Sequence, residues 1–305
     1  MTTTHDQLLD EQRAYLSANN GIKGLEVLDP SEVDRAVRIF NRDGFVVVHD
    51  ALTADELAFL KAGVDAAVHD IVSLDPDRKG NRGSHRYSFG GSSLTRSMLH
   101  RPEWQMLIDL PTVTPIITAI FQSSDYLLRS CSGDFCLPGA TQYQPLHSDM
   151  RDFLDPTTTP FSSFHDPRNH LSTRDLPCPY VCVNVLTVDS TPLNGPTRQI
   201  PGSQHSRAPV PTLSEEPEWM RLSTVCPAPA GSVQIRDVRA WHGAHPMCPT
   251  TCGRFRTSSS TRRGSGSRCC RGSPKPTTDA CHRSRSGSPG TAWRIRPTIS
   301  SPDTR

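Results

Sequence analysis

His147 and Asp149 stand two residues apart in Gln144-Pro145-Leu146-His147-Ser148-Asp149, and in an extended strand residues i and i+2 face the same side. One imidazole nitrogen and one carboxylate oxygen presented on a common face are two of the three groups of a 2-His-1-carboxylate facial triad, which leaves open positions on a non-haem Fe(II) ion. The third group has to come from another strand. The segment Gly231 to Gly243 offers it, reading as a strand, a turn and a second strand that ends on His242. His245 competes for the same role, although Pro246 behind it restricts its backbone. The remaining histidines, such as His49, His69, His100 and His205, have no partner at ligand spacing and read as structural or exposed.

Placing these groups requires a β framework, and the pattern along the chain supplies one. Ser31 to Phe40 has helical spacing, Asn41-Arg42-Asp43-Gly44 makes a turn, and Phe45-Val46-Val47-Val48 follows as a short strand. Thr53 and Glu56 form a capping box that opens a helix through Ala67. Two more helices are expected at Pro102 to Leu110 and Val113 to Phe121. After Tyr126 the texture becomes short apolar runs divided by Pro, Gly and Asp, which predicts strands at Tyr126–Arg129, Asp134–Leu137, Gln144–Asp149, Tyr180–Val188, Arg198–Pro201 and Ser232–Arg236. Helices followed by such a set give a mainly β domain with helical cover, a sandwich or jelly roll. Arg151 to Pro177, polar and rich in proline, reads as a surface loop.

At four spaced places the chain resembles the phytanoyl-CoA dioxygenase family. Asp43 to Val48 is similar to its opening strand, and Gln144 to Asp149 to its Gln-x-x-His-x-Asp motif. Val183-Asn184-Val185 through Asn194-Gly195-Pro196-Thr197-Arg198 to Ile200-Pro201-Gly202-Ser203 is similar to its central strands and Pro-Gly-Ser turn. Asp237 to Gly243 resembles its distal histidine motif. The resemblance covers about residues 35 to 246. It implies a double-stranded β-helix (cupin-like jelly roll), Fe(II) held by His147, Asp149 and His242, and 2-oxoglutarate as cosubstrate. His242 is preferred to His245 because it falls in the Trp-His-Gly pattern. With O2, such an enzyme hydroxylates or otherwise oxidises a small organic molecule; related halogenases lack the carboxylate that Asp149 supplies. Gln144 and Asn184 match positions that contact the cosubstrate in relatives, and Arg86 is a weaker candidate for the same pocket. The family's arginine for the far carboxylate follows the distal histidine by about eleven residues. Gly253 stands there instead, with Arg254 and Arg256 just beyond, and Arg254 is the remaining candidate.

The resemblance ends at Pro246, where the composition changes. Residues 1–246 carry 21 Lys+Arg against 29 Asp+Glu, whereas residues 247–305 carry 12 against 2. The chain thus divides into an oxygenase domain, 1–246, and a basic tail, 247–305. Rich in Arg, Ser, Thr, Pro and Cys, the tail lacks the apolar surface to order itself. Two readings stand: a disordered basic arm, or the product of a shifted reading frame. Back-translating Met247 to Gly266 and reading one base earlier yields NVSDDVRSIPNVEFYAPWF, which continues the family pattern and restores an arginine at the expected place. On that reading the last barrel strands are missing, and a non-catalytic protein of the same fold is the alternative to an active enzyme. A zinc site built on Cys248 and Cys252 is disfavoured because its spacing matches no common module, and nucleic acid is not an expected partner. Without a long apolar run or a secretion signal near Met1, the protein is expected in the cytoplasm, off the membrane, with its cysteines as thiols. The sequence specifies no oligomeric state.

Overall fold

The computed structural model describes residues 25–91, 96–150, 168, 170–191, 194–247 and 292–300. A short strand β1 (Val27–Leu28) precedes helix α1 (Val33–Asp43) and strand β2 (Phe45–Val48). The helix ends because Gly44 takes φ 81°, a left-handed conformation that favours glycine, and the Gln204 side chain packs against the space its Cβ would fill. Helix α2 (Ala54–Ser73) opens on the expected reciprocal capping box of Thr53 and Glu56 and runs two turns beyond Ala67. After β3 (Arg86–Gly90), the predicted helix at 102–110 is a short α3 (Pro102–Gln105) continued by a 3-10 turn, and α4 spans Thr114–Phe121.

The two strands expected between 126 and 137 are one, β4 (Leu127–Cys136). Then come β5 (Tyr180–Leu186), β6 (Thr197–Gln199), helix α5 (Glu216–Leu222), β7 (Thr224–Val225), β8 (Val233–Asp237), β9 (His242–Ala244) and β10 (Ala292–Ser300). Seven strands make one sheet in the order β1-β2-β8-β5-β10-β4-β3, and three make a smaller one, β7-β6-β9.

Alternation along the strands builds the layers. Val181, Val183 and Val185 of β5, with Val233 and Ile235 of β8, pack under the helices against Ile39, Phe40, Leu60, Val64 and Ile116. The opposite face of the large sheet meets the small sheet, where Phe45, Val47 and Leu186 contact Cys226 and Ala228. Behind the small sheet, Trp219 of α5 packs edge-on to Trp241, with Leu146 and Ile200 around them.

Two expectations need correction. Residues 170–177 are not purely a surface loop: Ser172, Thr173 and Arg174 are buried, and Arg174 Nη1 donates to the Arg239 carbonyl at 2.6 Å. The tail, expected to carry no ordered element, contributes β10, which pairs antiparallel with β4 on one side and β5 on the other. The sheet demands it: without a strand in that slot, two runs of backbone N–H and C=O groups would lose their partners.

Candidate metal centre

Gln144 to Asp149 is not a regular strand. It runs alongside the turn and strand that follow β8, joined by Gln144 N–H to Ala244 O at 3.0 Å, a reciprocal pair between His147 and His242 at 2.9 Å each way, and Asp149 N–H to Val238 O at 2.9 Å. The buried Ser148 hydroxyl turns away and bonds the carbonyls of Met150, Val238 and Arg239. These contacts produce the common face that the i, i+2 spacing predicts, by docking onto a neighbour rather than by strand membership.

Three donor atoms converge as a result. His147 Nε2 lies 3.8 Å from Asp149 Oδ1, and His242 Nε2 lies 3.7 Å from Asp149 Oδ2. All three ligand atoms fall within 4.8 Å of one another. Ligands about 2.1 Å from one ion at right angles are roughly 3 Å apart, so a small inward movement closes the set on a divalent metal. His147 Nδ1 bonds the Pro145 carbonyl at 2.9 Å and His242 Nδ1 the Ala240 carbonyl at 3.0 Å. Each bond places the proton on Nδ1 and leaves the Nε2 lone pair toward the metal. The imidazole of His242 is almost wholly buried, whereas His147 and Asp149 keep side-chain exposures of 34% and 24%. The centre therefore opens on one side only.

The surrounding charges were not legible as site residues. Arg236 of β8, fully buried, donates Nη2 to Asp149 Oδ2 at 2.5 Å. Asp237 and Arg239, both buried, form a bidentate pair, and Arg239 Nη1 also holds the carbonyls of Thr173 and Leu176 at 2.8 Å. That pair ties the turn before His242 to residues 172–176. At the rim, the Tyr180 hydroxyl donates to the Asp149 carbonyl at 3.3 Å and its ring carries the Arg129 guanidinium at 5.0 Å. Burial pushes the Tyr180 hydroxyl pKa up, with Asp149 adding to the effect and Arg129 opposing it.

The expected cosubstrate residues are placed differently from one another. Asn184 is buried on the face of β5 opposite to its valines. Gln144 engages through its backbone, its carbonyl accepting from Arg198 Nη2 at 2.6 Å. Arg86 spends Nη2 on the carbonyls of Gln142 and His245 at 2.9 and 2.6 Å, clasping the sheet edge to the segment before His147. Arg254 lies outside the described residues. His245 is not one of the converging ligands; its ring packs edge-on to Tyr143 and its Nδ1 faces the Pro246 carbonyl.

The family model for phytanoyl-CoA dioxygenase (PhyH) matches residues 40–249. The chain belongs to the phytanoyl-CoA dioxygenase family. Membership sets the class of enzyme, a dioxygenase, and places His147, Asp149 and His242 inside the matched region. No curated protein matches the chain. Among solved structures it is similar to EctD from S. alaskensis with 2-oxoglutarate and 5-hydroxyectoine (TM-score 0.55, 17% identity, 91% of this chain and 78% of that one). It is also similar to the non-heme alpha ketoglutarate dependent epimerase SnoN from nogalamycin biosynthesis (0.54, 15%, 90% and 82%). A third is AviO1 from Streptomyces viridochromogenes Tue57 (0.53, 16%, 90% and 97%). At these identities the likeness is one of fold, and it agrees with the jelly roll expected from the strands. Among the described residues no helix is long and apolar enough to cross a membrane, and Cys131 and Cys178 are free thiols.

Proposed function

We propose that this protein is an Fe(II)- and 2-oxoglutarate-dependent oxygenase that hydroxylates or otherwise oxidises a small organic substrate. The observation that carries the reading is the convergence of His147, Asp149 and His242 from separate segments onto one point. Two neutral imidazoles and one carboxylate would suit Fe(II), the ion that would supply the oxidative chemistry. When bound, iron, 2-oxoglutarate and O2 supply the oxidising power, with the 2-oxo acid leaving as succinate and CO2.

The protein's own part is to hold and to shield. Backbone carbonyls of Pro145 and Ala240 fix the tautomer and tilt of the two rings. Arg236 holds Asp149 from the buried side, so that its carboxylate is oriented before metal arrives. Trp241, fully buried against Trp219, anchors the backbone just before His242. The open side faces Tyr180 and Arg129, where a substrate approaches. The burial of Asn184 on the face of β5 opposite its valines supports a role for its amide in holding the cosubstrate.

Anaerobic reconstitution with Fe(II) and 2-oxoglutarate tests this. A weak visible metal-to-ligand charge-transfer band, and succinate formation on admitting O2, are the expected results. Iron binding with neither band nor succinate would instead mark a non-catalytic member of the fold.

A further inference from the structure

The ring of His147 is steered by a peptide group. Its Nδ1 meets the Pro145 carbonyl at 2.9 Å, so the tilt of the ring follows the rigid plane that joins Pro145 to Leu146. The other end of that plane is the Leu146 N–H, which donates to Glu216 Oε1 at 2.6 Å. Glu216 Oε2 pairs with Arg198 Nη2 at 3.1 Å, and the same nitrogen donates to the Gln144 carbonyl at 2.6 Å. One ion pair thus grips the chain on both sides of Pro145, a residue with no N–H of its own to anchor.

The pair is deep, with side-chain exposures of 0% for Arg198 and 6% for Glu216. Stability alone is a poor reason for it, since apolar residues of similar volume often serve as well as a buried ion pair. Apolar residues could not, however, accept from Leu146 and donate to Gln144. A carboxylate accepting the Leu146 N–H makes a charge-assisted bond, and it polarises the peptide so that the Pro145 carbonyl accepts more strongly from His147. Two neighbouring features fit the same device. Arg198 pairs with Gly243 across the small sheet, on the face opposite to that of His242. A Cβ at Gly243 would stand 2.6 Å from the Gln144 carbonyl oxygen and 3.2 Å from Arg198 Nη2, so the glycine after His242 leaves the clasp its room. Trp219, three residues along α5 from Glu216 and on the same side of the helix, packs against Trp241, the residue before His242. Helix α5 therefore backs both imidazoles.

We infer that Arg198 and Glu216 are positioning residues of the metal centre: they lock the 145–146 peptide, which holds His147 in the Nδ1–H form with Nε2 toward the ion. For the ion, though not for the ring, this rests on the oxygenase reading above.

The test compares the full chain with the double variant Arg198→Met, Glu216→Leu, which fills the same space without buried charge. Its melting temperature is expected to stay close to the parent's, while Mn(II) affinity falls about tenfold. Long-range proton–nitrogen correlation spectra of the metal-free proteins supply the readout that a purely structural role would not move. His147 is expected to drift from the Nδ1–H toward the Nε2–H form, whereas His242, held by the Ala240 carbonyl at 3.0 Å, keeps its own. A folded double variant with the parent's Mn(II) affinity and His147 tautomer would overturn the inference, and so would equal drift of both rings. Should the double variant fail to fold, Glu216→Gln decides. It keeps an oxygen for Leu146 without the charge, so about a threefold loss of Mn(II) affinity and a shift confined to His147 are expected; unchanged affinity or a shift shared with His242 would overturn the inference. If the unsubstituted protein binds no Mn(II), the oxygenase reading falls, and the tautomer comparison still decides whether the clasp sets the ring.

Discussion

The strands of the body and the one strand of the tail are built on different grounds. In β5 every position has a reason: valines at 181, 183 and 185 face the helices, while Cys182, Asn184 and Leu186 face the small sheet. In β10 the sequence Ala-Trp-Arg-Ile-Arg-Pro-Thr-Ile-Ser has no such logic, and it places Pro297, which lacks an N–H, opposite Cys131 in the middle of a seven-stranded sheet. Proline is otherwise confined to edges and bulges. The comparison teaches that a sheet with an open slot recruits a strand through backbone hydrogen bonding alone, whereas side-chain alternation decides which strands belong. It also sets the acidic body, which holds the chemistry, against the basic tail, which holds none of the three ligands.

The sharpest way to test that division is to remove a ligand from the body. Asp149→Ala takes away the carboxylate and leaves Arg236 as an unpaired buried cation beside the imidazoles. Metal affinity is expected to fall at least a hundredfold, with loss of the charge-transfer band, in the chain as written and equally in a chain whose tail is read one base earlier. Retention of the band in either would place the metal elsewhere.

Next in size is the tail strand itself. Deleting 292–300 strips ladder bonds from both β4 and β5; at about 1 kcal/mol net per bond the loss is on the order of 5 kcal/mol or more. A chain of this size should then melt about 10 °C lower or lower still. Replacing 247–305 by the shifted reading, which supplies the run Ile-Pro-Asn-Val-Glu-Phe-Tyr-Ala, is expected to raise stability above that of the chain as written. A melting temperature unmoved by deletion would mean that β10 contributes nothing to the sheet in solution.

What the sequence disclosed follows the same line. The ligands were legible because an i, i+2 pair and a Trp-His-Gly pattern are local, and the helices because capping and periodicity are local too. Thr53 with Glu56 and Gly44 mark their ends before any tertiary contact is known. The segment 144–149 reads as a strand from its place among short runs divided by Pro, Gly and Asp, whereas the structure docks it onto a turn and a three-residue strand. Arg236 and Arg239 look alike in the string Arg-Asp-Val-Arg, and only the fold separates the one that meets Asp149 from the one that meets Asp237. β10 was illegible because nothing in its side chains asks for a central position.

Arg239 offers a smaller test of the body's internal logic. Arg239→Met leaves Asp237 buried without its counter-charge and frees the carbonyls of Thr173 and Leu176. Breaking a buried pair by removing one partner costs about 3–5 kcal/mol. Chemical denaturation should show that loss, and the double replacement of Asp237 and Arg239 by apolar residues should recover much of it. If the single and double variants are equally destabilised, the pair's value lies in its backbone contacts instead.

The smallest expected effect is at the boundary between the two regions, on His245. Burial lowers its pKa below the ordinary 6.5, opposed by the Pro246 carbonyl and reinforced by the nearby guanidiniums of Arg198 and Arg86. A base whose pKa is depressed in the fold binds fewer protons there than in the unfolded chain, so its contribution is fully present above the unfolded value and drains away as pH falls through the folded one. His245→Gln should therefore flatten the acid side of the stability profile below about pH 6.5 while leaving it unchanged at pH 8. The comparison is made on metal-free protein with the parent melted alongside. An acid slope as steep in the variant as in the parent would show that the chain's acid weakness does not lie at His245, at its junction with the tail.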